Sequence, residues 1–344
     1  MKTRFLFYFT LSLIFVSCTT SNVIVDVQRP ADISVPQNIQ KVIVANRSTP
    51  SKDNVAENIL EGIVTGEGIG ADKKGSEFCM IGLTNILEKS DRYDLRNSTE
   101  LVLKGTGTSM FPDLLSWDQV RSLCNSYDAD ALIVLSTFDS DAREFEGKSV
   151  VRTKKIKGAK VREIKYPVTL IMEIESGWRI YDAQNEKIVD VNTFTEVREF
   201  QEWGSSYRDA RLKLPSRRQA LKSSGIFAGE QYAFRISPIW VKANRVYFIG
   251  KGEDFKLAKQ HVKLANWDEA IKIWQTLAKS SDLTTSRRAY FNLALASEIK
   301  GKLDIAINYA EKSKKLGEKQ ALNYIRILNQ RKADQALLDK QLNN

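Results

Sequence analysis

Eight consecutive residues, Ala131-Leu-Ile-Val-Leu-Ser-Thr-Phe138, leave this chain little choice of architecture. The run is too short for a buried helix and shows no alternation of apolar and polar positions. Both of its faces must therefore be covered, which places it at the centre of a sheet layered by helices. Ile39-Gln-Lys-Val-Ile-Val-Ala-Asn46 has the same character and ends in the turn-forming Asn46-Arg-Ser-Thr-Pro50. Between the two runs the apolar period changes to that of a helix. Ser76 is placed to cap a helix to about Lys89 that buries Phe78, Ile81, Leu83, Ile86 and Leu87. Ser116 starts another, with Trp117, Val120, Leu123 and Cys124 on its apolar side. Arg92-Tyr-Asp-Leu-Arg96 and Leu101-Val-Leu103 read as short strands. Strand and helix in alternation predict right-handed crossovers and an α/β sheet.

From about Ser149 to Phe200 alternation takes over: Val168, Leu170, Met172 and Ile174, then Trp178, Ile180, Ile188, Val189, Val191 and Phe194. With turns assigned to Ser176-Gly177 and Asp182–Glu186, this predicts an antiparallel meander, so the sheet is mixed. Pro215-Ser216 begins a helix to Phe234, Ile236–Trp240 breaks it, and Arg245–Ile249 reads as a last strand. The expected α/β (α+β) domain thus covers 38–250. After Gly250-Lys-Gly252 every apolar pattern is helical, and 251–344 reads as a separate all-α region; a chain of 344 residues has room for both.

Within that region Ala258, Ala270 and Trp274, with Asn266-Trp-Asp-Glu269 in the turn, recur as Ala294, Ala306 and Ala310 with Gly301-Lys-Leu-Asp304. The paired alanines lie twelve positions apart in both copies, and the motif resembles the tetratricopeptide (TPR) repeat. Ala270 and Ala306 are 36 apart, against the family's thirty-four, which places two extra residues near Ser280–Thr285. The resemblance implies helical hairpins closed by a capping helix over Gln320–Leu342, and a groove that holds a protein or peptide partner. Lys256, Lys259 and Asn292 are the candidate partner contacts. Two repeats are fewer than a free-standing solenoid needs, so the array is expected to pack on the α/β domain.

The chain opens with Met1-Lys-Thr-Arg4, an apolar run from Phe5 to Val16, and Ser17-Cys18. This is the pattern of a signal peptide, too short and wrongly flanked for a stable span. Ser17-Cys18 resembles the lipobox of bacterial lipoproteins, with Phe15 where that family usually has Leu. The resemblance implies removal of residues 1–17 and lipidation of Cys18; the alternative is an ordinary secretory signal with an incidental cysteine. Residues 18–37, with Pro30 and Pro36, read as a tether. Nothing acidic follows Cys18 and Thr19 is not Asp, which by lipoprotein sorting rules implies an outer-membrane lipoprotein facing the periplasm. No later apolar run approaches the length of a membrane span, so attachment to the membrane would be by lipid alone.

Lys41-Val-Ile-Val, Leu87–Leu95 and Ala129-Asp-Ala-Leu-Ile-Val resemble the N-terminal α/β domain of TolB-like and curli-secretion-type periplasmic proteins. Gly177-Trp-Arg-Ile-Tyr-Asp182, Gly229–Trp240 and Asn266–Trp274 resemble an uncharacterised Bacteroidetes lipoprotein family, a domain of unknown function with C-terminal TPR repeats. Neither resemblance implies a reaction.

The residues themselves offer little catalytic material. His261 is the sole histidine and falls where the repeat carries a packing residue; with Cys79 and Cys124 it is too little for a triad or a typical zinc set. Neither a metal nor a cofactor is expected. The two cysteines read either as buried free thiols or as a bridge permitted in the periplasm. Gly66-Glu-Gly68-Ile-Gly70 stands twenty positions beyond Asn46, so it lacks the strand–glycine–helix order of a phosphate loop; Lys104-Gly-Thr-Gly-Thr108 is discounted likewise. Net charge is +10, scattered except in Arg152–Lys165, where an anionic surface is a candidate partner and a solvated sheet edge the alternative. No nucleic acid is expected for an exported chain. The expected function is a lipid-anchored envelope scaffold without catalytic activity. The alternatives are a glycan-acting hydrolase or binding protein using Glu196, Glu199, Glu202 and Asp209 beside Trp203, Tyr207, Arg235 and Trp240, or a component of an envelope assembly or secretion complex.

Overall fold

In the computed structural model, residues 20–49, 70–96, 101–105, 110–156, 159–250 and 252–342 are described. Cys18 and the signal segment, most of the Gly66–Gly70 loop and Thr106–Thr108 lie outside them. The chain divides into two units. One comprises residues 29–239 with the end of the chain from Leu337, and the other residues 240–336 with the start of the chain up to Gln28.

The first unit is built on a seven-stranded mixed sheet: β2 (Lys41–Asn46), β3 (Asp94–Leu95), β4 (Leu101–Val102), β5 (Ala131–Glu146), β6 (Val150–Ile156), β7 (Ala159–Asp182) and β8 (Lys187–Gly204). β2 pairs in parallel with β3 and β4 on one side and with β5 on the other. β7 then runs antiparallel to β5, β6 and β8. Period two sends alternate residues of each strand to opposite faces. Val42, Val44, Ala131, Ile133 and Leu135 meet α1 (Ala71–Leu87) and α4 (Arg217–Ile236) on one face. Ile43, Ala45, Leu132 and Val134 meet α2 (Trp117–Ser126) on the other. All eight residues of Ala131–Phe138 are buried, as a strand covered on both faces requires.

Local signals set several boundaries. Ser116 and Ser216 each cap a helix through a full capping box with Gln119 and Gln219, and Ser206 caps the short α3 (Tyr207–Arg211). The carboxylate of Asp182 accepts from the backbone of Gln184 and Asn185 at 3.1 and 3.0 Å, closing the β7–β8 turn. Ser176-Gly177, expected as a turn, instead lies inside β7. A bulge in β5 between Leu135 and Thr137 sits opposite, and a Cβ on Gly177 would stand 2.2 Å from the Thr137 hydroxyl, so the glycine answers a close approach. Helix α1 starts five residues before the expected cap. Ser76 is buried inside it and accepts from Asn46 at 3.0 Å.

Helices α1 and α4 approach until backbone meets backbone. A Cβ on Gly82 would lie 2.0 Å from the carbonyl oxygen of Ile226, and one on Gly229 would lie 1.9 Å from that of Cys79. Cys79 belongs to this core and Cys124 to the opposite face of the sheet; both are buried free thiols. Burial pushes the Cys124 thiol up to about 12 and that of Cys79 higher still.

In the first turn of α1, Asp72 accepts from the Ser140 hydroxyl at 2.6 Å. Burial, with Asp139 nearby, raises its carboxyl to about 6. A folded-state value above the unfolded one means that the folded protein holds the proton more tightly. Stability from this group is therefore full below about pH 4 and lost as pH rises to about 6. Asp72→Asn is expected to be neutral at pH 4 and stabilising by about 1–3 kcal/mol at pH 8, read from urea midpoints at the two pH values. An equal effect at both would reject the burial of this charge.

The second unit holds a two-stranded sheet, β1 (Thr20–Arg29) with β9 (Ile239–Phe248), and helices α5 (Glu253–Lys263), α6 (Trp267–Leu277), α7 (Leu283–Ile299), α8 (Leu303–Lys315) and α9 (Gln320–Leu342, whose last turns count with the first unit). The stretch 18–37, expected as a tether, thus carries a ten-residue strand. Alternation in Val23-Ile-Val-Asp-Val27 buries Val25 and Val27 with Tyr247, Phe248 and Trp274. The ribbon belongs to the same apolar cluster as the helices. Consecutive helices from α5 to α8 pack on one another, and Ala258, Ala270, Ala294, Ala306 and Ala310 are all fully buried.

Candidate interaction sites

Asn292 is the expected contact that the fold withdraws. It is fully buried on α7, its amide oxygen accepting from the Phe248 N–H and its amide nitrogen donating to the Phe248 carbonyl, both at 2.7 Å. The side chain satisfies both backbone groups of a strand residue, as a neighbouring strand would. Lys256 is exposed and pairs with Glu253 at 2.6 Å, while Lys259 is half-buried on the same helix. His261 is half-buried on α5 and carries a buried Nδ1 without a hydrogen-bond partner. The structure therefore leaves the two lysines on α5 without the expected asparagine.

A different group converges elsewhere in this unit. The Glu298 side chain is 0% exposed. It accepts from Arg245 (Nη2 at 2.9 Å), Arg331 (2.8 Å) and the Tyr324 hydroxyl (2.5 Å). Burial pushes its carboxyl up, but the bonds from Arg245 and Tyr324 more than offset this and hold it below the ordinary glutamate range. Beside this cluster opens a cleft of about 250 Å³. Phe291, Tyr324 and Ile327 form apolar lining, and the exposed carboxamides of Asn244, Gln320 and Asn323 line it too. Sequence reading missed the cluster. Its one signal is a lone charge in the apolar run Ala294–Ile299, 53 residues from Arg245 and 33 from Arg331.

The carboxylates on β8 do not form a pair. Glu196 shares the face of Phe194 and Phe200 towards the core, and burial raises its carboxyl; Glu199 points to the opposite, exposed face. Glu202 is on the Glu196 face but six residues along, about 20 Å at strand rise. Acid and base in glycoside hydrolysis stand about 5–9.5 Å apart. Asp209 accepts from the Ser205 N–H at 2.7 Å and from Lys213 at 3.0 Å, which lower it to about 2. Arg235 is paired with Asp190 at 2.8 Å, Tyr207 donates to the Gly147 carbonyl at 2.9 Å, and Trp203 lies under the Arg152 guanidinium at 4.5 Å. Trp240, in the other unit, is exposed. Among the described residues no group of three or more His, Cys, Asp or Glu is placed to hold a metal ion, and no helix is long and apolar enough to cross a membrane.

The chain belongs to the family defined by the domain of unknown function DUF8603, whose model matches residues 39–248. Residues 256–331 match a second domain of unknown function, DUF6340. The two matches divide the chain close to Gly250, where the sequence turns helical. No curated protein matches the chain. Among solved structures it is weakly similar to the PelC L103M dodecamer from Paraburkholderia phytofirmans, at 12% identity over 62% of this chain and 100% of that one, with a TM-score of 0.21. A hemagglutinin homolog from Helicobacter pylori, described as neuraminyllactose-binding, matches at 12% identity over 58% of this chain and 81% of its own, with a TM-score of 0.23.

Proposed function

We propose that this is a lipid-anchored cell-envelope protein that works as a non-catalytic scaffold, holding an extended peptide of a partner on its helical unit. The observation that carries the reading is the cleft beside Glu298. Three exposed carboxamides at an apolar lining offer both donors and acceptors, which suits the repeating N–H and C=O groups of an extended chain. The buried alanines, twelve positions apart in each helix pair, support the TPR reading of α5–α8, and α9 then serves as the capping helix. Lys256 and Lys259 on α5 are the second candidate location.

Selection of displayed random peptides against the full chain tests both locations. Enriched peptides are expected to lose binding at least tenfold to the Asn244→Ala/Asn323→Ala variant if the cleft holds them, and to Lys256→Glu/Lys259→Glu if α5 does. Peptides that bind both variants as tightly as the parent would remove the proposal. The anchor is tested separately. In cells fed an alkynyl fatty acid, the label should follow Cys18 and vanish in Cys18→Ser. A labelled Cys18→Ser chain would overturn the lipidation.

A further inference from the structure

We infer that the ribbon formed by β6 and the first residues of β7 is a docking element for an anionic phospholipid surface. The other strands stop short of it: β5 reaches only as far as Val168 of β7 and β8 as far as Tyr166, so from Lys165 back to Ala159 the only pairing is with β6. Apart from Glu163 and Lys165, which are half-buried near its base, the described side chains of this two-stranded piece are exposed, and an isolated two-stranded ribbon is marginally stable in water. It carries six cations, Arg152, Lys154, Lys155, Lys160, Arg162 and Lys165, against one acid, Glu163, which pairs with Lys165. The register sets Lys155 directly opposite Lys160, with Arg162 next on the same face. Like charges across a strand pair repel, and an external anion would relieve that repulsion.

The apolar residues select the kind of anion. On the Lys155–Lys160 face, Val151 stands opposite Ile164, and these are 63% and 50% exposed. A soluble polyanion would satisfy the charges and leave these two in water. A bilayer interface accepts both, burying aliphatic groups at the level of the headgroups that bind the cations. Residues 150–165 contain no aromatic side chain on which a sugar ring or a base could stack. Trp203, at the base of the ribbon, is covered by the guanidinium of Arg152. The inference does not depend on acylation of Cys18 or on the peptide cleft.

The test uses the chain from residue 18 with Cys18→Ser, so that no acyl chain contributes, and flotation with phosphatidylcholine vesicles with or without phosphatidylglycerol. Binding is expected only with phosphatidylglycerol, and to weaken steeply with salt. Lys155→Glu/Lys160→Glu/Arg162→Glu should lower the partition coefficient by roughly 100-fold. Lys279→Glu/Lys302→Glu/Lys315→Glu, the same change of charge at exposed positions elsewhere, should leave it within about twofold. Val151→Ser/Ile164→Ser should weaken binding with every charge intact, and circular dichroism identical to the parent should accompany each variant. No binding, equal binding to pure phosphatidylcholine, indifference to the ribbon reversals, or retention on dextran sulfate without vesicle binding would each overturn the inference.

Discussion

Gly229→Ala is expected to destabilise the α/β unit by at least about 3 kcal/mol, although alanine is the better helix former by about 1 kcal/mol. The sign follows from what the new methyl would meet. Its carbon would lie 1.9 Å from the carbonyl oxygen of Cys79 and 2.8 Å from the backbone nitrogen of Leu83, where carbon and oxygen normally stand about 3.3–3.6 Å apart. These are backbone atoms, so no rotamer change can clear the space and α4 must move off α1 as a body. The displacement would open the packing between Leu83, Ala228, Tyr232 and the sheet face beneath them. Ser223→Ala on the same helix, whose hydroxyl donates only to the carbonyl of Ala220 in its own helix, should change stability by less than about 0.5 kcal/mol. Urea unfolding of the three proteins decides the matter: a Gly229→Ala midpoint at or above that of the parent would mean the helices do not touch as described.

Glu298→Ala should cost the helical unit about 3–5 kcal/mol, because it leaves two guanidinium groups buried with no counter-charge. Arg245 and Arg331 are 12% and 16% exposed, and Tyr324 would lose the acceptor for its hydroxyl. The pH dependence has a definite sign. A glutamate held below its ordinary value contributes stability above about pH 4.5 and loses it as pH falls through the lowered folded value. The parent should therefore lose stability below about pH 4.5 more steeply than Glu298→Gln, which no longer titrates. Thermal unfolding followed by far-ultraviolet circular dichroism at several acidic pH values would expose this difference. Parallel curves would mean that the carboxylate is not paired as described.

Much of the α/β unit was legible because its signals are local. A run such as Ala131–Phe138 is incompatible with an exposed face, Ser116 and Ser216 each stand three residues before a glutamine, and Asp182 begins a run that can only turn. Readings that depend on a distant partner fared differently. Ser176-Gly177 has turn chemistry, but the bulge opposite it in β5 claims the glycine for a close approach. Val23–Val27 looked too weak for a strand until Tyr247 and Phe248 supplied its packing. Asn292 has the composition of a surface contact, yet the open edge of Phe248 withdraws it into the interior. The Glu298 cluster joins residues from β9, α7 and α9, and no sequence period links those three. Of the candidate carboxylates, spacing alone already decided Glu196 and Glu199: three positions along a strand put two side chains on opposite faces.

The separation of Cys79 from Cys124 by the full thickness of a sheet has a practical consequence. Neither thiol can reach the other without dismantling a core, and burial keeps both protonated and unreactive at neutral pH. Assembly of the described residues therefore requires no oxidant, no disulfide catalyst and no particular redox milieu. The described residues should fold identically in a reducing and in an oxidising milieu, and neither glutathione nor dithiothreitol should alter the melting temperature.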